Sequence, residues 1–342
     1  MTTTLRIGSL FSGIGGLDLA VEAATGGRTV WQVEADAYCR SVLARHWPDA
    51  ERFDDVRTAA DLPAIDILAG GFPCQDLSDA SQTKAGLAGA RSGLFFELVR
   101  IAAETRPAKI IIENVSPLLR YRPVVEAELA AIGYRCRWAR LYASSAGAPH
   151  LRRRVFIVAT PDQGFELAAP MMDLSRTARP VWPTATAINR NEDEDLGAWQ
   201  ARRDKAKAES DAGNGFGVPL GIAVRLWPTP LAAEAKHASS GGGRRGGRSL
   251  GIAAGQSAGV GRLTPAWVAQ LMGLVDGWIE PAGAPLSGFA DRWPAGPDAE
   301  QFDWEAPRLM TGAAVRGRPA RLKALGNAVV PQQALLALNY LL

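Results

Sequence analysis

The stretch Leu5-Arg6-Ile7-Gly8-Ser9-Leu10-Phe11-Ser12-Gly13-Ile14-Gly15-Gly16 decides the fold. Residues 5–11 form a short, largely apolar run of the length of a buried strand. The glycines at 13, 15 and 16 break it before an amphipathic stretch at 17–24. A strand, a glycine turn and a helix are the opening unit of an open α/β sheet. Working outward, the alternation continues, with strands expected at 29–33, 65–69, 109–112, 135–141 and 155–159. Helices are expected at 37–46, 94–104 and 124–132. This is the pattern of a doubly wound, Rossmann-like α/β sheet covered on both faces.

After Thr160 the alternation stops. Residues 161–262 are rich in Pro, Gly, Ala and Arg, with a charged segment at 191–211. The run 241–248, Gly-Gly-Gly-Arg-Arg-Gly-Gly-Arg, reads as a flexible basic loop. A weak repeat sets Trp182-Pro183-Thr184 before Leu220-Gly221-Ile222-Ala223, and Trp227-Pro228-Thr229 before Leu250-Gly251-Ile252-Ala253. It suggests a duplicated unit within a second, smaller domain. An amphipathic helix at 263–277 opens with Thr264-Pro265. A Gly326-Asn327 turn introduces an apolar helix within 322–342 that is expected to return to the first domain. The expected division is 1–160 plus 318–342 for one domain and 161–317, including the 263–277 helix, for the other. A length of 342 residues agrees with about two domains.

Composition narrows the function classes. Hydrophobic residues make up 47% and charged ones 21%, which excludes a disordered or coiled-coil chain. No apolar run reaches the ~20 residues of a membrane span, and residues 1–4 lack a basic leader pattern. A cytoplasmic location is expected. Cys39, Cys74 and Cys136 are odd in number and lack Cys-x-x-Cys spacing, so neither a disulfide framework nor a zinc ribbon fits. His46, His150 and His237 form no metal-ligand pair, and no metal is expected. The net charge is +3. Only six of the 38 basic residues are lysine, and arginine suits bidentate recognition of phosphates and bases.

Four constellations carry chemistry. The Gly13–Gly16 turn lets backbone approach a ligand at a helix N-terminus. Its third glycine position for a dinucleotide fingerprint is Asp18, which disfavours NAD or FAD. Glu34, ending the second strand, can accept from ribose hydroxyls, and Asp55 from an exocyclic amine. Gly70-Gly71-Phe72-Pro73-Cys74-Gln75 puts a thiol among backbone N–H groups, where a thiolate is stabilised. Ile110-Ile111-Ile112-Glu113-Asn114-Val115 brings a carboxyl to the same edge, available for proton donation. On an extended strand Arg152 and Arg154 face one side and Arg153 the other, and two arginines can hold a phosphate or a carbonyl oxygen.

Phe-Ser-Gly-Ile-Gly-Gly, Pro-Cys-Gln, Glu-Asn-Val, Arg-x-Arg and Gly326-Asn327-Ala328-Val329-Val330-Pro331 occur in this order. The chain thereby resembles the DNA cytosine-5 methyltransferases, over about 5–160 and 263–342. Residues 161–262 fall where that family has a variable target-recognition region. The resemblance implies S-adenosyl-L-methionine as cofactor, converted to S-adenosyl-L-homocysteine. Phe11 would stack on its adenine, Gly13, Gly15 and Gly16 would shape its methionine end, and Glu34 would hold the ribose. Asp55 would take the adenine amine, Leu94 would pack on the cofactor, and Asn327 would close the site. Cys74 would attack cytosine C6, Glu113 would hold N3, and Arg154 would contact O2 with Arg152 alongside. Ser78 and residues 82–91, ending at Arg91, match a loop that closes over DNA. Arg244, Arg245 and Arg248 would meet phosphates or form a basic linker.

The chain departs from the family pattern at His150, where Gln is usual, at Ala35, where some members have Trp, and at Asp76-Leu77, where Pro-Phe is usual. The reading implied is a base-flipping enzyme of restriction–modification or of phage and host DNA protection. Its expected partners are double-stranded DNA and, acting separately, a cognate restriction endonuclease; a monomer is expected. The rival readings are an RNA (tRNA) cytosine-5 methyltransferase on the same fold and a non-catalytic DNA-binding regulator.

Overall fold

A computed structural model describes residues 4–73, 93–162, 171–175, 182–183, 194–209, 219–226, 262–296, 301–310 and 316–342. The chain runs β1 (Arg6–Leu10), α1 (Gly16–Thr25), β2 (Arg28–Val33), α2 (Ala37–His46), β3 (Glu51–Phe53) and β4 (Ile67–Gly70). It continues through α3 (Leu94–Thr105), β5 (Lys109–Val115), α4 (Arg122–Ala131), β6 (Tyr134–Tyr142) and β7 (Arg153–Pro161). Then come β8 (Met172–Asp173), α5 (Leu196–Glu209), α6 (Leu220–Leu226), β9 (Arg262–Leu263) and α7 (Pro265–Leu271). The last elements are β10 (Leu309–Met310), α8 (Arg318–Asn327) and α9 (Pro331–Leu341).

Eight strands form one sheet in the order β3-β2-β1-β4-β5-β7-β6-β8. From β3 to β5 the strands are parallel, and β7 runs antiparallel to both neighbours. The chain goes from β1 outward to β2 and later returns to β4 on the other side of β1. The carboxyl ends of β1 and β4 therefore flank the topological switch point, where open α/β sheets bind ligands.

Alternation along the strands builds two layers of core. Leu10, Leu68, Ile110 and Ile112 join Phe95, Leu98 and Leu129 on one face. Ile7, Ile67, Ile111 and Phe156 join Leu17, Val21 and Leu338 on the other. A strand buried on both faces reads as a continuous apolar run, as Ile110–Ile112 does. A third cluster joins Val42, Leu43 and Trp47 to Trp267, Leu271, Trp278 and Leu325. It packs α2 of the amino-terminal region against α7 and α8.

The expected C-terminal return is observed, with α9 packed on α1, β6 and β7. The break at Gly326-Asn327 and the apolar helix after it are observed as the end of α8 and as α9, whereas α8 itself, before the break, was not expected. Ala328 is extended (φ −63°, ψ 151°) and α9 starts at Pro331; the residue before a proline is pushed out of the helical region. The helix expected over 263–277 ends at Leu271, followed by Gly273 at φ +76°. Strand β3 was not anticipated, since three residues, two of them charged, carry no readable period. In the repeat, Trp182 is buried and α6 covers the first Leu-Gly-Ile-Ala. Thr184 and the second copy lie outside the described residues.

Candidate active site

At the end of β1 the backbone turns sharply. Phe11 adopts φ +56°, a left-handed conformation that a bulky residue takes only under constraint. Gly13 and Gly15 follow at φ +57° and +85°. The turn is held by bonds from Ser12 N to Val33 O (3.3 Å) and from Gly15 N to Ser12 O (2.9 Å). Glu34 completes it. Its carboxylate accepts from Gly13 N at 2.8 Å and from Asp36 N at 2.8 Å, tying the loop to the start of α2. Burial pushes the Glu34 carboxyl above its ordinary range, against those two backbone bonds.

Beneath the turn lies a buried polar chain. Ser12 Oγ donates to Ser9 Oγ at 2.9 Å, and Gln32 Nε2 donates to Asp18 Oδ1 at 3.1 Å. Asp18 is fully buried, and desolvation lifts its carboxyl to about 7.

The C-terminal segment closes the same crevice. A Cβ on Gly16 would stand 2.3 Å from Val329 O, so only glycine permits this approach. The crevice is lined by residues 9–14, Gly16, Leu17, Gly71, Glu113 and residues 327–329. It brings together Phe11, Gly13, Gly16, Glu113 and Asn327. Leu94 packs with Phe11 against one sheet-face cluster. Asp55 does not line the crevice. It faces a neighbouring open cavity of about 560 Å³ with Arg40, Arg52 and Phe53, and its Oδ1 accepts from Arg57 N at 2.9 Å.

Glu113 and Arg154 meet at the edge of the sheet. β7 runs against β5 and pairs Val115 with Arg154, so the first residues of β7 reach the carboxyl end of β5. Arg154 Nε lies 2.7 Å from Glu113 Oε1, with side chains 16% and 10% exposed. The adjacent Asn114 is buried and donates from Nδ2 to Phe72 O at 3.1 Å. It thereby fixes the backbone two residues before Cys74.

Arg152 departs from the sequence reading. It precedes β7, and its buried guanidinium turns to the C-terminal segment rather than standing alongside Arg154. It donates to Gly326 O at 3.0 Å and Ala328 O at 2.7 Å. Burial lowers its pKa well below the ordinary arginine value. Gln333 Nε2 reinforces this seam by donating to Leu141 O (3.0 Å) and Arg152 O (2.8 Å). His150, also buried, bonds Leu271 O through Nε2 at 3.0 Å, and desolvation drops it to about 3.

Cys74, Ser78, Arg91, Arg244, Arg245 and Arg248 lie outside the described residues. The other two cysteines are buried. Burial raises the Cys39 thiol far above its ordinary value and pushes Cys136 up to about 12. Neither suits a nucleophile. Among the described residues no group of three His, Cys, Asp or Glu side chains could hold a metal ion, and no helix is long and apolar enough to cross a membrane.

In the sequence the only signal for Asn114 is its place beside Glu113, and sequence reasoning assigns it no role. Gln333 and the Ser9–Ser12–Asp18–Gln32 group escape such reasoning, because polar residues inside apolar elements reveal their partners only once the elements pack.

Type II methyltransferase M.NlaX of Neisseria lactamica is 31% identical over 241 residues, covering 67% of this chain and 75% of that protein. M.DsaV of Dactylococcopsis salina is 30% identical over 233 residues, 63% of each chain. M2.BsuMI of Bacillus subtilis strain 168 is 36% identical over 165 residues, 46% of this chain and 42% of that protein. The chain thus spans less than two thirds of the latter two proteins. A crystal structure of a mutant DNMT2 from Spodoptera frugiperda has the same fold, with a TM-score of 0.54 over 98% of this chain and 99% of that one at 16% identity. The model of the C-5 cytosine-specific DNA methylases matches residues 5–209. That match covers more than half of the sequence, and the chain belongs to this family.

Proposed function

We propose that the chain is a DNA (cytosine-5-)-methyltransferase acting on a cytosine turned out of duplex DNA. The observation that carries this reading is a convergence at one sheet edge. The glycine crevice, the Phe72-Pro73 backbone leading to Cys74, and the Glu113–Arg154 pair all lie there.

Members of this family use S-adenosyl-L-methionine, and the crevice fits it. Apart from its chain neighbours, no atom of the described residues lies within 4 Å of where a Cβ on Gly13 would be, which leaves room for a ligand against the backbone. Phe11 offers an aromatic face, and the Glu34 carboxylate, bonded to Gly13 N of the turn, suits a ribose diol. Gly15 and Gly16 shape the methionine end, Leu94 and Asn327 border the site, and Asp55 takes the adenine amine from the adjoining cavity. When bound, the cofactor supplies an electrophilic methyl group.

The chain's own residues prepare the base. The Cys74 thiolate forms a bond to C6 while Glu113 holds N3 and Arg154 holds O2, and electron density moves to C5. After C5 has gained its methyl group it loses its proton, the C6–S bond breaks, and the ring is restored. Arg154 also orients the Glu113 carboxyl. Arg152 acts at one remove, by holding the C-terminal segment over the crevice. Extrusion of the base costs a few kcal/mol, and Ser78, Arg91, Arg244, Arg245 and Arg248 are assigned to the DNA that offsets it. In this reading 161–317 serves target recognition, and the enzyme acts as a cytoplasmic monomer. The relatives' Type II names suggest restriction–modification, with any endonuclease separate.

The test uses tritiated S-adenosyl-L-methionine, unmethylated genomic DNA, and Cys74→Ser in parallel, followed by bisulfite sequencing. Label on cytosine C5 with the wild type alone supports the proposal and reveals the target sequence. Transfer to tRNA but not to DNA would overturn it in favour of an RNA substrate, and no transfer to either would remove the enzymatic reading.

A further inference from the structure

The glycine turn has a partner far along the chain. Trp278 is fully buried, and its indole Nε1 donates to Ile14 O at 2.8 Å. Ile14 sits between the two left-handed glycines of the turn. Its carbonyl belongs to the peptide whose N–H, that of Gly15, bonds Ser12 O. The bond at Ile14 O and the bond from Gly15 N to Ser12 O together fix this peptide plane from both of its ends, in a loop whose glycines by themselves prefer no single orientation.

Trp278 is itself held tightly. Its ring stacks on His46 with centroids 3.8 Å apart and planes 9° from parallel, and meets Trp47 edge-on at 5.7 Å. Trp47 in turn covers Gly15, where a Cβ would approach its ring to 2.3 Å. His46 Nδ1 accepts from Leu286 N at 3.0 Å, so its proton sits on Nε2 and is donated to Trp278 O at 2.7 Å. Other α2 side chains grip the same segment. Tyr38 Oη donates to Ile279 O at 2.5 Å, and Arg45 donates to Gly277 O at 2.6 Å and Ala284 O at 2.8 Å. Arg321 closes the clamp from α8, with Nη2 2.8 Å from Glu280 Oε2.

We infer that Trp278 is a positioning residue for the cofactor site, holding the glycine turn in its binding conformation through the Ile14 carbonyl. The inference rests on the proposed cofactor reading and extends it to a residue more than 250 positions from the turn. The segment at 277–286, within the region assigned to target recognition, thereby also supports the cofactor crevice. Because Trp278 touches neither Glu113 nor Arg154, its loss acts on cofactor affinity and leaves the chemical step alone.

The experiment compares the full-length wild type with Trp278→Phe, which keeps an aromatic ring on His46 and removes the N–H donor together with part of the indole's volume, a loss of volume that the control shares. Trp267→Phe is the control. It removes an equally buried indole N–H whose acceptor is Glu305. Calorimetric Kd for S-adenosyl-L-homocysteine and KM for S-adenosyl-L-methionine should rise about five- to tenfold in Trp278→Phe, the worth of one hydrogen bond. Its kcat at saturating cofactor should stay within about twofold, and Trp267→Phe should change neither constant. His46→Phe, which retains a stacked ring but releases both backbone bonds, should raise KM in the same direction and guards against a failure of Trp278→Phe to fold. Unchanged KM in the folded variants, or an equal rise in Trp267→Phe, would overturn the inference while leaving the cofactor reading intact. A wild-type chain that binds no S-adenosyl-L-homocysteine would overturn both.

Discussion

Arg154 Nε lies 2.7 Å from Glu113 Oε1 although the two residues come from antiparallel strands and are separated by α4 and β6. The antiparallel insertion of β7 is what makes the contact available. A parallel strand in that place would have presented its opening residues at the opposite end of the sheet. The pair is organised before any substrate arrives, so neither group must be ordered during reaction.

Replacing Glu113 by Gln keeps the shape and removes the charge that Arg154 faces. The expected result is a fall in kcat of ~100-fold or more, the usual weight of a positioned acid–base group. S-adenosyl-L-homocysteine affinity should stay within about threefold. Steady-state methylation and calorimetry on the same preparation check the split.

Arg152→Lys tests the seam between the β7 edge and the C-terminal segment. Lysine cannot reproduce two divergent donations to Gly326 O and Ala328 O. Stability should fall by about 1.5–3 kcal/mol, read as a lower thermal midpoint, and cofactor affinity should weaken with it.

Gly16→Ala introduces a methyl 2.3 Å from Val329 O. Overpacking of this kind costs about 1–3 kcal/mol. The segment carrying Asn327 should lift from the turn, and cofactor affinity should drop more than the thermal midpoint. Equilibrium binding across temperature separates the two effects.

Asp18 gives a pH prediction with a definite sign. In the folded chain it keeps its proton up to about 7, whereas its ordinary value is 3.8. Between these values the folded state binds more protons than the unfolded one. Stability should therefore fall as pH rises through this window, by at most about 1.4 kcal/mol per pH unit from this group. Denaturant midpoints at pH 5, 6 and 7 should show the slope, and Asp18→Asn should flatten it.

Much of this architecture was legible from local pattern. The turn after β1, helix α2 and the apolar β5 announced themselves through glycines, period and β-branched runs, each of which needs only neighbouring residues. Glu34 and Glu113 could be placed because a residue ending a strand lies at a sheet edge wherever that strand sits. Arg152 and Arg154 were read together because alternation puts them on one side. That inference needs an ideal strand, and β7 begins only at Arg153, leaving Arg152 free to turn toward Gly326. Trp278, Gln333 and Asp18 stayed silent for another reason. Their partners, Ile14, Leu141 and Gln32, are brought near by packing of elements whose order in space no local pattern encodes.

The most direct test of the central claim is covalent trapping. Duplex DNA in which cytosine carries fluorine at C5 cannot lose a proton there after methyl transfer, so the Cys74–C6 bond has no route to elimination. Incubated with S-adenosyl-L-methionine and run on a denaturing gel, the wild-type chain should give a protein–DNA band that withstands detergent, with the peptide containing Cys74 attached to DNA. Cys74→Ser should give none. Methylation of ordinary DNA without any trapped band, or an equal band from Cys74→Ser, would contradict the account.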